Sequence, residues 1–229
     1  MAHPFPRRFR EGPQPMKLYG YFRSSASFRV RIALHLKGLP FDYQAVHMLR
    51  GGGEQLRDDY RALNPDALVP TLVDGAVTLQ QSLAILEYLD ETVPEPPLLP
   101  RSPADRAHVR AIALQIACEI HPLDNLRVLR YLKRTLGVAE EPKNAWYRHW
   151  IEQGFATLEA KLAADPRTGK LCYGDTPTQA DLCLIPQIYN AQRFEVDLAP
   201  YPTLARIHAH AMTLDAFRAA APEAQPDAE

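Results

Sequence analysis

Cysteine is scarce in this 229-residue chain, and the few thiols present already exclude a good deal. Cys118, Cys172 and Cys183 form neither a C-x-x-C pair nor a metal-ligand spacing, which excludes a disulfide scaffold and argues against zinc. They are expected to be free, buried thiols of a cytoplasmic protein. Long apolar runs are missing too: none approaches the ~18 residues of a membrane span. The leader "MAHPFPRRFREGPQP" has arginines but no apolar core of a secretory signal. Neither sign of charge dominates, since 26 Lys+Arg against 27 Asp+Glu leave a net charge of -1. The basic residues are dispersed with no aromatic stacking platform beside them, so nothing asks for nucleic acid. There is no internal repeat and no low-complexity tract.

Proline, by contrast, is plentiful, with 21 residues, and it punctuates the chain. Residues 1–15 are too proline-rich for a good helix and are expected to be a leader or tag. From Met16 to residue 93 the pattern is β-α-β-α-β-β-α: "KLYGYF", a helix over 24–38, "FDYQAV", a helix near 54–62, "VPTLV" and "AVTLQ", and a helix over 82–93. Phe28, Ile32 and Leu36 mark the apolar stripe of the first helix, and Gly38 its stop. Asp74-Gly75 predicts a type I′ hairpin turn, because both central positions need positive φ. "PEPPLLPRSP" then breaks the pattern, so residues 94–102 are read as a linker. Residues 103–220 carry only helical periodicity. Ile112, Ile116 and Ile120 form one stripe and Leu129, Leu132 and Leu136 another, with a kink expected at His121-Pro122. Further helices are expected over 143–164 and 178–193, the latter opened by a capping box from Thr178 to Asp181. Residues 221–229, rich in proline and acids, are expected to be a frayed tail.

Three short stretches carry chemistry. In "RSSAS" a basic residue and two serines stand where a strand meets a helix. Ser24 or Ser25 there is either a plain N-cap or a donor to an anion held at the positive helix end. A thiolate suits that place, but Ala26 and Ser27 occupy the positions of a redox cysteine pair, so a sulfur must come from outside. In "LVPTL", Pro70 removes a ladder donor, so it sits at a strand's start or edge, with either a trans or a cis bond after Val69. In "LQQSLAILEYL", Gln81 and Ser82 precede a helix, and Ser82 is either its N-cap or a ligand to a carboxylate.

Taken together, "YFRSSASFRVRIALHLKG", "ALNPDALVPTL", "QSLAILEYLDE", "GDTPTQADLCLIPQIYNAQRF" and "VDLAPYPTLARI" resemble the zeta class of glutathione transferases, from Met16 to about residue 226. That class contains the maleylacetoacetate and maleylpyruvate isomerases. The resemblance implies a thioredoxin-like N-terminal domain followed by an all-α domain, glutathione as cofactor, and a homodimer. It implies a cis Pro70 and backbone pairing of Val69 with the ligand's cysteinyl part. Gln81 and Ser82 would hold the γ-glutamyl end and Gln55, in "GGGEQLRD", the glycyl end. Ser24 matches the catalytic serine, with Ser25 and Arg23 beside it. The implied reaction is thiolate addition to a cis-enoic diacid, bond rotation and elimination to the fumaryl isomer.

A small anionic maleyl substrate calls for guanidinium groups, which bind carboxylates in a fork. Arg23, Arg127 and Arg193 are the candidates, Arg127 resembling the maleylpyruvate isomerase branch. His121 and Asn125, four apart on one helical face, are placed by the resemblance near glutathione, contributed by a neighbouring subunit; His121 alternatively is structural. Arg29 and Arg31 are assigned to structural ion pairs. Many members of the class carry cysteine where this chain has Ala26, which puts side reactions of that thiol in doubt and leaves the isomerisation intact. The rival activities are a general conjugating transferase or dehalogenase, which an apolar second pocket would favour, and a non-catalytic interaction protein, which would need a damaged glutathione site.

Overall fold

The computed structural model describes residues 15–229; apart from Pro15, the expected leader lies outside the described residues. Four strands form one sheet in the order β2-β1-β3-β4. β1 (Met16–Gly20) runs parallel to β2 (Phe41–Ala45), while β3 (Thr71–Asp74) is antiparallel to both β1 and β4 (Val77–Gln80). A parallel pair needs a crossover, and α1 (Ser25–Leu36) supplies it. Its end is a Schellman motif: Gly38 takes φ 60, its N–H donates to His35 O, and that of Leu39 donates to Leu34 O. α2 (Asp58–Leu63) and α3 (Ser82–Thr92) complete this half. The β3–β4 hairpin forms as expected, but not through a type I′ turn. Asp74 pairs with Val77 inside the ladder, leaving Gly75 alone at positive φ.

The second half is helical: α4 (Pro103–Leu114), a π-helical turn (Gln115–Ile120), α5 (Leu126–Arg134), α6 (Glu140–Ala164), α7 (Gln179–Arg193), α8 (Pro202–Ala211) and α9 (Asp215–Ala220). The last two were not anticipated as separate elements. α7 opens with the expected capping box, in which buried Asp181 accepts from the Thr178 N–H and hydroxyl and from the Cys172 N–H. The apolar cores of the two halves are continuous. α1 packs against α3 on one side and against α7 and α9 on the other, so it is buried nearly all round. Each large side chain it buries, such as Phe28 or Ile32, contributes roughly 1.5–3 kcal/mol.

Several expectations from the sequence are overturned. His121-Pro122 does not kink one helix. The chain widens into the π turn, breaks at 121–125 and restarts at α5, because Pro122 has no N–H to continue the ladder. The Leu129, Leu132, Leu136 stripe fails as well: Leu136 lies beyond α5 and is exposed. The proline-rich 94–102 stretch is not a free spacer, since Leu98 and Leu99 are in the core. Buried Lys37 holds its start through Asp90 Oδ1, Val93 O and Pro96 O. The final residues are not frayed. Asp227 Oδ2 accepts from the Phe22 N–H at 3.0 Å, Gln225 is buried, and Glu229 pairs with His47 and Arg50. Arg31 makes no ion pair within 4 Å among the described residues; its guanidinium, lowered to about 10 by burial, donates to Ala220 O and Phe22 O. Cys172 and Cys183 are buried, but Cys118 is exposed.

Candidate active site

Two cavities meet where the halves touch. The first, a groove, runs from the start of α1 to the start of α3 and is closed by the α4–α5 break; Ala26, Arg29, Asp66, Gln81, Ser82 and Arg127 line it. The second is a pocket between the start of α1 and helices α5 to α7, lined by Arg23, Ser24, Asp124, Tyr147, Asn190 and Arg193 among others. Leu68, Val69, His121 and Asn125 border both.

At the junction, Ser24 settles the choice between cap and donor by being able to do both. It is the N-cap of α1, its Oγ accepting from the Ser27 N–H at 3.2 Å. A hydroxyl that accepts through a lone pair still has its proton to give, and this one borders the pocket. Ser25 is buried and fixed by Asn190, whose Nδ2 donates to its Oγ at 2.6 Å. Arg23 is held by the Tyr21 hydroxyl and lies over the Phe22 ring. Arg193, exposed at the end of α7, lies against Phe194, which itself stacks on Tyr147. Neither arginine has a carboxylate within 4 Å among the described residues, nor does Arg127.

The loop before β3 is pinned from beneath. Asn64 Nδ2 and the Tyr60 hydroxyl both donate to Leu68 O, and Asn64 also reaches Thr71 Oγ1. This presents a cis Val69–Pro70 bond, with Val69 making no backbone hydrogen bond among the described residues. At α3, of the two roles open to Ser82, the cap is absent. Gln81 is the N-cap, at φ 66 and without a capping bond, and Ser82 is the first helical residue. The Ser82 Oγ instead accepts from Arg29 Nη1 at 3.2 Å. Arg29 is 2% exposed, and its Nε and Nη2 have no partner among the described residues. Its assignment to a structural ion pair is therefore wrong: it is a buried cation with no counter-ion among the described residues. Burial, and then the charge of Arg29, push the His121 imidazole down to about 3, so it is neutral in the fold.

A family model for the glutathione S-transferase N-terminal domain matches residues 23–92. The probable maleylacetoacetate isomerase of Vibrio cholerae is 54% identical over 92% of this chain and 97% of its own length. The chain belongs to the zeta class of glutathione transferases. A holo structure of maleylpyruvate isomerase, a bacterial zeta-class enzyme, superposes with TM-score 0.90 at 51% identity, covering 93% of this chain and all of that one. The maleylacetoacetate isomerase of Methylobacterium extorquens AM1, solved with malonate and glutathione bound, superposes with TM-score 0.90 at 42% identity over 93% of this chain and 99% of its own.

The groove of this zeta-class chain fits glutathione, which carries two carboxylates, an ammonium and a thiol. The buried, unpaired Arg29 beside the N-terminus of α3 calls for a carboxylate. Asp66 offers a counter-charge to an ammonium, and exposed Arg127 a second cationic contact. Of the residues expected from the sequence, Val69, Pro70, Gln81, Ser82, His121 and Asn125 border this groove. Arg23, Ser24, Ser25 and Arg193 border the pocket. Gln55 borders neither; it is a buried residue of a 3-10 turn (Glu54–Leu56), with its Oε1 unpartnered among the described residues. Arg127 borders the groove and not the pocket, so the structure does not join it to the other two arginines. His121 and Asn125 reach the site from this same chain, from either side of the helix break and not from one helical face. Sequence reasoning missed Arg29, Asp66, Asp124 and Tyr147. Arg29 alone had a usable signal, a charge inside an apolar helical stripe.

Proposed function

We propose that this chain is a glutathione-dependent cis–trans isomerase that converts maleylpyruvate or maleylacetoacetate to the fumaryl isomer. The single observation that carries this reading is the pocket itself, which Arg23 and Arg193, both without carboxylate partners among the described residues, line together with Ser24 at the positive end of α1. Such a pocket selects a small dianion, since guanidinium forks bind carboxylates and no ionised side chain on the described elements already neutralises them. A general transferase acting on apolar electrophiles has no use for that charge.

Arg29, Gln81, Ser82 and the free Val69 peptide group hold glutathione in the groove, with Arg127 at its rim. When bound, glutathione supplies a thiolate that adds to the cis double bond, allows rotation and leaves unchanged. Ser24 donates its hydroxyl proton toward that anion, and the N–H groups of the first turn of α1 favour the deprotonated form. Arg23 and Arg193 orient the substrate carboxylates, which converts a bimolecular encounter into a positioned one. Neutral His121 and the Asn125 side chain supply hydrogen-bonding groups at the shared wall without adding charge.

The chain is further proposed to work as a homodimer in a reducing cytoplasm. Free Cys118, Cys172 and Cys183 support the compartment, and the class resemblance supports the dimer. No described helix is long and apolar enough to cross a membrane. The test is to mix purified protein with maleylpyruvate and with maleylacetoacetate, each with and without glutathione, and to follow the enol absorbance. Turnover that depends on glutathione is expected for at least one compound; none for either overturns the reading.

A further inference from the structure

Asp124 sits in the break between the π turn and α5, in the wall of the substrate pocket, and is 5% exposed. Neither of its carboxyl oxygens has a hydrogen-bond partner, and no cation lies within 4 Å of them among the described residues. A carboxylate ion is acceptor-only, so in this position it would be a desolvated charge with nothing to satisfy it. It would also stand in the same cavity as a dianionic substrate. A carboxylic acid avoids both costs, and brings an O–H donor that a carboxylate lacks.

We propose that Asp124 is a substrate-binding residue that works in its protonated form, giving the pocket a neutral donor aimed at an anionic oxygen of the substrate. The inference deepens the isomerase reading, on which the identity of the substrate rests. The other ionisable groups facing the pocket are Arg23 from the turn before α1, Tyr21 from the end of β1, His121 from the helix break, Tyr147 from α6 and Arg193 from α7. The two arginines are cationic and His121 is neutral through the working range. Tyr147 is pushed up, first by burial and then by the Asp124 charge, with Arg193 opposing. Burial by itself raises the Asp124 carboxyl to about 8, so the proton is held at neutrality and released on the alkaline side.

Affinity for a dicarboxylate must therefore fall as pH rises through that value. The probe is malonate, titrated calorimetrically into the glutathione-saturated protein at pH 6.5, 7 and 9, with Asp124→Asn and Asp124→Leu alongside. The parent is expected to lose roughly tenfold in affinity between pH 7 and 9, the ratio of protonated fractions for a group titrating near 8. Asp124→Asn keeps a donor without a titrating proton, so its affinity stays flat and exceeds the parent's at pH 9. Asp124→Leu binds weakly and without slope. Thermal melts give a second readout that needs no ligand. A raised carboxyl stabilises the fold below its unfolded value and loses that contribution as pH climbs toward 8, so Asp124→Asn melts above the parent at pH 8 and the gap closes toward pH 4. No malonate binding at pH 6.5, a parent affinity flat from pH 7 to 9, or an Asp124→Asn slope equal to the parent's each overturns the proposal. Absence of turnover on both maleyl compounds with the slope intact would sink the isomerase reading and leave Asp124 standing.

Discussion

The groove and the pocket share a wall at Val69, His121 and Asn125, yet they are built in opposite ways. Much of the groove comes from one half of the chain, at points where one element gives way to the next: Ala26 in the first turn of α1, Val69-Pro70 before β3, and Gln81-Ser82 at the start of α3. The pocket is assembled from distant pieces. Ser24 at the start of α1 faces Tyr147 on α6 and Asn190 and Arg193 on α7, brought there because α1 packs on α7. The comparison teaches where the two chemistries come from. Backbone geometry and one buried cation prepare the groove for a peptide, while side chains on a helical bundle tune the pocket for a particular substrate.

That division is open to attack by substitution. The largest effect is expected at the junction: Ser24→Ala should lower kcat by about a hundredfold, on the order of 2.7 kcal/mol, with little change in glutathione affinity by calorimetry. Comparable loss in both would mean that Ser24 belongs to the groove alone. Next, Arg29→Met should weaken glutathione binding by roughly thirtyfold while raising the melting temperature of the ligand-free protein, because an unpaired buried charge has been removed. A fall in melting temperature would mean that Arg29 is satisfied without ligand. Arg193→Ala should raise KM for the maleyl substrate by about tenfold and leave the KM for glutathione unchanged. If both constants move together, the cavities do not act separately. The smallest effect lies outside both: Asp227→Ala leaves the Phe22 N–H unpaired and should cost about 1–2 kcal/mol in urea melts, with neither KM altered.

Much of the groove was legible in the sequence because its signals are local. A proline opening a strand and Gln-Ser before an apolar period each name their position within a few residues, as do the serines after an arginine at the strand–helix junction, which border the pocket. Even so, one local choice was decided and one local reading inverted. Of the two roles open to Ser82, the cap falls away because Gln81 takes that position, and its hydroxyl instead accepts from Arg29 on the neighbouring helix. Arg29 itself was assigned to a structural ion pair, and only the folded arrangement, in which it is buried with Ser82 Oγ as its hydrogen-bond acceptor, shows that no counter-ion stands beside it among the described residues. The pocket was legible only in part. Arg23 was found through its adjacency to Ser24 and Arg193 through resemblance, whereas Asp124 was just one polar residue in a turn. Its significance lies in what fails to surround it.

The tail and the proline-rich stretch mark the same boundary. Composition marks 94–102 and 221–229 as loose, and in an isolated peptide it would be right. Lys37 and the Phe22 N–H supply partners from elsewhere that hold both in place.

By itself, then, the sequence determined the order of elements in the first half, the opening of α1, α3 and α7 within a residue, and the presence of an anion-seeking turn, because hydrophobic period, capping residues and turn chemistry act over a few residues. Only the tertiary structure decided which charges are left unpaired, since whether a buried guanidinium or carboxyl finds a counter-ion depends on every chain segment that could have supplied one.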